Sequence, residues 1–158
     1  SPLVRHIVGG WETTGIWTLQ NGTPFSVGSG SDRSLSGINA DYADLVGDPY
    51  LSTSRPRGEQ VAKYFNTDAF APNAEGTFGT APRNLLRGPG LFNVDLGLMK
   101  RLSVGERVRV QLRGEFFNAF NRPNFSNPYT TQRVTSRFGR IESAGDPRII
   151  QFGLKLQF

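Results

Sequence analysis

Cysteine is absent from the 158-residue sequence, which excludes a disulfide scaffold and a thiolate metal site. Histidine occurs once, as His6 in a polar N-terminal stretch. No Gly-x-Ser-x-Gly elbow and no metal-spaced cluster accompanies it, so the residues offer little for nucleophilic or metal-assisted catalysis, and neither an enzyme nor a cofactor is expected. No run of about 18 or more apolar residues is present, which excludes a transmembrane helix. The first residues, Ser1-Pro2-Leu3-Val4-Arg5, include neither an initiating methionine nor the apolar core of a signal peptide. An exported chain with this start is expected to be the C-terminal piece of something longer.

What the sequence has is turn-formers and aromatics: 19 Gly, 10 Pro and 12 Phe, a mixture that points to β-structure with long loops. The formal net charge is +5. A nucleic-acid interface would need those arginines clustered on one face. They are scattered instead through loops and polar strand positions, so no nucleic-acid partner is expected. The negative mean hydropathy is compatible with a membrane barrel, whose strands give half their positions to a polar lumen.

The most regular stretch is the last. From Ile150 the even positions read Ile, Phe, Leu, Leu, Phe, and the odd ones between them Gln, Gly, Lys, Gln, the period of two of a strand with one apolar face. Its length fits the roughly 9–11 residues of a tilted membrane-spanning strand. Leu91 to Leu102 alternates likewise, with Phe92, Val94, Leu96 and Leu98 opposed to Asn93, Asp95, Gly97, Met99 and Arg101. Arg107 to Phe117 sets Val108, Val110, Leu112, Gly114 and Phe116 against Arg107, Arg109, Gln111, Arg113 and Glu115. With Ser103–Glu106 as the turn, pairing Arg101 with Arg107 brings Asp95 opposite Arg113 and Phe92 opposite Phe116. A slide of two would oppose Asp95 to Glu115, a like-charge pair that costs stability, so the first register is expected.

Upstream, Trp11, Thr13, Gly15, Trp17 and Leu19 share one face of a long strand over about 8–27. Asn21-Gly22 could turn a tight hairpin; Pro24, which cannot donate to a central ladder, favours a bulge through which the strand continues. The four strands are expected over about 8–27, 91–102, 107–118 and 148–158, separated by long inserts at 28–90 and 119–147. The first insert contains a weakly helical patch at Glu59–Phe65. With the C-terminus in the periplasm, both inserts fall outside the cell and the short turn inside. The expected fold is therefore all-β, an antiparallel transmembrane β-barrel segment that taken alone is an open, curved sheet with two untidy loops.

The final strand resembles the C-terminal recognition strand of bacterial outer-membrane barrels, with Gln151, Gly153, Leu156 and Phe158 in the places of that pattern. The resemblance implies that the barrel-assembly machinery reads these residues as a signal. Gly9-Gly10-Trp11, Gln20–Phe25, Asn84–Gly90, Glu115–Asn121 and Gly145-Asp146-Pro147-Arg148 together look like the closing part of a TonB-dependent outer-membrane receptor. The subgroup is the one with an N-terminal carboxypeptidase-regulatory-like domain. That likeness implies a Gram-negative outer-membrane location, lipid around the barrel, and import of a scarce small ligand such as a siderophore or oligosaccharide. It implies contact with TonB only through an N-terminal plug region that this sequence does not contain. Asp95, Arg109, Arg113 and Glu115 would face the lumen, and Trp11, Phe92, Phe116 and Phe158 the membrane interface. A passive porin, a surface adhesin and a soluble carbohydrate-binding sandwich stay open as alternatives at this level.

Overall fold

The computed structural model describes residues 7–38, 41–105 and 107–158, and the chain divides into two compact units. The first is an antiparallel sheet of four long strands. β1 (Trp11–Gln20), β6 (Leu91–Val104), β7 (Val108–Phe117) and β8 (Ile149–Gln157) lie in the order β1-β6-β7-β8. It is not closed: β1 and β8 are its two edges. Among the described residues, no helix is long and apolar enough to cross a membrane.

The ladders join like faces across all four strands. Trp17 pairs with Val94, Gly15 with Leu96, Leu96 with Phe116, and Phe116 with Ile150. Leu98 meets Gly114, which meets Phe152, and Leu112 meets Leu154. Because side chains alternate at every residue, these registers put one continuous apolar face on one side of the sheet. The face is open: Trp17 is 72% exposed, Leu19 82% and Phe152 82%. An uncovered apolar surface of this extent marks an interaction with something other than water.

The β6–β7 register differs from the one expected from charge. Leu96, Met99 and Val104 face Phe116, Arg113 and Val108, a slide of four residues from Arg101 against Arg107. The apolar alternation does not stop at Leu98. Leu102 pairs with Val110 and Val104 with Val108, so two positions assigned to the turn belong to the ladder. The reversal is correspondingly shorter and begins at Gly105, whose φ of +68° suits a residue without a Cβ. This register extends the ladder to Leu102–Val110 and Val104–Val108 on the common apolar face and gives up only one exposed Asp–Arg contact, which is worth little on a solvated surface.

The first strand is shorter than 8–27. β1 ends at Gln20, and β2 (Pro24–Phe25) forms a separate ribbon with β5 (Leu86–Arg87). Neither a tight hairpin at Asn21-Gly22 nor an uninterrupted bulged strand describes this arrangement. Proline limits pairing here because it lacks the donor that a continuous ladder needs.

The two inserts are not untidy loops. Residues 21–90 and 125–144 form the second unit. Its core contains Phe25, Val27, Ala43, Phe65, Phe70 and Phe138. β3 (Asp44–Leu45) pairs with β4 (Phe70–Ala71), and the weakly helical patch becomes a short helix, α1 (Arg57–Ala62). Phe65 is 2% exposed and lies 5.8, 5.6 and 5.3 Å from the rings of Phe25, Phe70 and Phe138, edge-on to the last two, an arrangement that suits the ring quadrupoles. The two inserts are joined by backbone hydrogen bonds from Tyr64 N to Gly139 O (2.7 Å) and from Ile141 N to Val61 O (2.9 Å). At Gly79 a Cβ would collide with the Tyr42 carbonyl oxygen, so this packing requires glycine.

Candidate functional site

The sheet's second face is polar. Glu12 and Thr14 from β1, Asp95 and Arg101 from β6, Arg109, Arg113 and Glu115 from β7, and Gln151 and Lys155 from β8 occupy the positions between the apolar ones. Arg113 Nη1 lies 3.7 Å from Glu115 Oε1, and Arg101 Nη2 lies 2.9 Å from Glu12 Oε2. The four lumen candidates thus share a face but do not gather into one cluster. Arg109 stands at the far end, opposite Ser103 and Gln157. Asp95 does not face Arg113: its Oδ1 accepts from Asn93 Nδ2 at 2.8 Å and from Asn118 N at 2.9 Å. The slide of four residues is the reason.

At the end of β7 where Asp95 lies, the sheet is fastened to the segment that leads into β8. Asn118 (φ +48°) and Asn121 (φ +50°) occupy the left-handed region that asparagine tolerates better than most side chains. Asn118 Oδ1 accepts from Arg122 N (3.0 Å), while its Nδ2 donates to Arg122 O (2.9 Å) and Asp146 O (3.1 Å). Asn121 Oδ1 accepts from Arg148 N at 3.0 Å. The Glu115–Asn121 and Gly145–Arg148 stretches are therefore two halves of one hydrogen-bonded clasp. Beside it lies a cavity of about 580 Å³ lined in part by Thr18, Asn93, Asp95, Phe117, Asn124 and Gln151, rich in amide and carboxylate groups.

On the apolar face, Gly114 leaves room for Phe116 and Phe152, whose rings meet edge-on at 6.4 Å. Phe92 stacks on Phe120 and carries the Arg122 guanidinium 5.1 Å above its ring. Trp11, the first residue of the edge strand β1, shares a row with Lys100, Leu112 and Leu154 partway along the other three strands, whereas Phe158 follows β8 and is fully exposed. Lys100 escaped the sequence reading. It breaks the apolar alternation, yet is 5% exposed, donates to Ile7 O at 2.9 Å and to Gly9 O, and lies 4.9 Å from the Trp11 ring centroid. Carbonyl acceptors and the π-face satisfy a charge that hydrocarbon could not. Its signal in the sequence was a lone cation on an otherwise apolar face, with Gly9-Gly10 at hand to bring carbonyls close.

Among the described residues outside the long strands, the carboxyls of Asp41 and Glu142 are perturbed. The Ser34 backbone N–H donates to Asp41 at 2.7 Å and holds its carboxyl below the ordinary range, against desolvation. Glu142 is lowered chiefly by its hydrogen bonds from Arg137. His6 lies outside the described residues.

An antiparallel sheet with one uncovered apolar face and one charged face is the wall of a membrane β-barrel. A family model for an outer membrane beta barrel domain matches residues 1–151, and the chain belongs to that family. Its place is the outer membrane of a Gram-negative bacterium. Gly153, Leu156 and Phe158 of the assembly-signal pattern lie beyond the matched stretch. No curated protein and no solved structure matches the chain.

Proposed function

We propose that the chain forms part of the barrel of a TonB-dependent receptor that imports a scarce ligand across the outer membrane. The observation that carries this reading is the open four-stranded sheet with opposed faces. Four strands do not close around a lumen, so the β1 and β8 edges call for further strands, as in a large barrel. The polar residues Asp95, Arg113 and Glu115 would then line the interior and brace a plug, and the even residues of β8 would face lipid. With the C-terminus in the periplasm, strand alternation would carry the 21–90 and 125–144 inserts outside the cell, where a self-supporting unit could receive a ligand. Gln151, Gly153, Leu156 and Phe158 supply the address for barrel assembly. Uptake by cells producing the whole protein, with and without TonB, tests the proposal. Saturable uptake that disappears without TonB supports it; uptake that persists identifies a passive pore, and no uptake points to an adhesin.

A further inference from the structure

The insert unit holds a cavity of about 320 Å³, at the small end of the range for small-molecule sites. Tyr50, Leu51, Tyr64, Phe65 and Leu86 form apolar and aromatic walls, and Asn84, Arg55 and Arg87 set polar groups among them. No aspartate, glutamate or lysine lines it among the described residues. The Arg55 guanidinium is fixed by carbonyls alone: Nε donates to Ser52 O at 2.9 Å, Nη1 to Lys63 O at 2.9 Å and Nη2 to Tyr64 O at 3.3 Å. Arg87 is exposed and donates to Gly22 O at 3.3 Å. Burial pushes the Tyr64 hydroxyl up, so it stays neutral and can donate. Two guanidinium groups beside an aromatic slot, with no lining carboxylate to offset them, form a positively charged pocket with apolar walls.

We infer that this cavity binds a small organic anion: a flat or aliphatic body lodged among Tyr50, Tyr64 and Leu86, with a carboxylate directed at Arg87 and Arg55. The walls exclude a simple inorganic anion as the best occupant, because it would leave the apolar surface unfilled. The lining cations equally disfavour a cationic ligand. Capture at this site does not depend on whether the barrel then imports the ligand, so binding is measured apart from uptake.

The test is isothermal titration of the whole protein, held in amphipol, with 2-naphthoate and with its neutral isostere 2-naphthamide. Naphthoate is expected to bind saturably and at least about tenfold tighter than the amide, the scale of a charge-assisted hydrogen bond. Arg87→Gln should weaken naphthoate about tenfold and leave the amide unchanged, while Arg87→Lys should restore most of the loss. Arg83→Gln, which removes an exposed charge from the same unit outside the cavity, should change nothing. Equal binding of acid and amide, absence of saturable naphthoate binding, or equal losses in the Arg83 and Arg87 variants would overturn the assignment. A TonB-independent uptake result would leave these binding differences in place, so the two readings fail separately.

Discussion

Leu154 is the position where the environment of the apolar face can be read as an energy. It lies one residue from the centre of β8, pairs with Leu112, and is 63% exposed with Phe152 and Leu156 on either side of it along the face. In a barrel wall that exposure is to hydrocarbon, and Leu154→Arg at mid-bilayer depth should cost about 2–4 kcal/mol. That amounts to between one and three powers of ten in the unfolding equilibrium. Gln151→Arg, on the polar face of the same strand, should cost about 0–1 kcal/mol, since it adds a charge where charges already stand. Leu154→Ala separates lipid from a covering sheet. A soluble core would keep a void and lose up to about 5 kcal/mol, whereas lipid chains fill the space and leave only the transfer loss of three carbons, about 2 kcal/mol. The assay is reversible urea unfolding of the whole protein in lipid vesicles, followed by tryptophan fluorescence and by the mobility shift of the folded barrel. A large cost for the alanine variant together with a small difference between the two arginine variants would refute the lipid assignment.

Phe65→Ala should remove about 3–5 kcal/mol from the insert unit, because the ring is fully buried at the centre of the aromatic cluster. Limited proteolysis should then cut within 21–90 while the mobility shift of the barrel is retained; unchanged protease resistance would contradict the shared core. Asn118→Ala loses three side-chain hydrogen bonds in the clasp, about 2–4 kcal/mol in sum. Asn118→Gly, which accepts the positive φ, should recover a part of it; an unfolding midpoint equal to that of the parent would sink the clasp. The depressed Asp41 carboxyl stabilises the folded unit fully above the unfolded carboxylate value of about 3.9, and the contribution is lost as pH falls through the lower folded value. Protease resistance of the insert unit should therefore hold down to about pH 4 and drop below it, and less steeply in Asp41→Asn, whose titration profile is the check.

The long strands were legible because one physical rule governs them. Period-two alternation at Trp11–Leu19, Leu91–Leu102, Val108–Phe117 and Ile150–Phe158 has no other simple cause, and it located every strand of the wall. Register was less legible. An exposed Asp95–Arg113 pair counts for less than the added ladder pairs Leu102–Val110 and Val104–Val108, which continue the apolar row up to the turn. The insert unit was invisible for a different reason. Its core residues Phe25, Ala43, Phe65, Ala81 and Phe138 follow no period, because short ribbons and loops present one side chain at a time to a centre defined only by the fold. The clasp was half legible: its asparagines stood out as a motif, but the partnership of Asn118 with Asp146, 28 residues away, needed coordinates.

In a barrel wall the even-numbered face of β8 would meet lipid and the odd-numbered face an aqueous lumen. Because the sequence contains no cysteine, single cysteines at each position from Ile150 to Gln157 can carry a nitroxide without competing labels in this chain. Its collision rates with oxygen, which partitions into lipid, and with a water-soluble nickel chelate can then be measured for the protein in outer-membrane vesicles. The expected result is a two-residue oscillation in antiphase: oxygen access highest at positions 150, 152, 154 and 156, nickel access highest at 151, 153, 155 and 157. Nickel access rising at the even positions, or oxygen and nickel access both low there as beneath a second sheet, would contradict a membrane-facing strand.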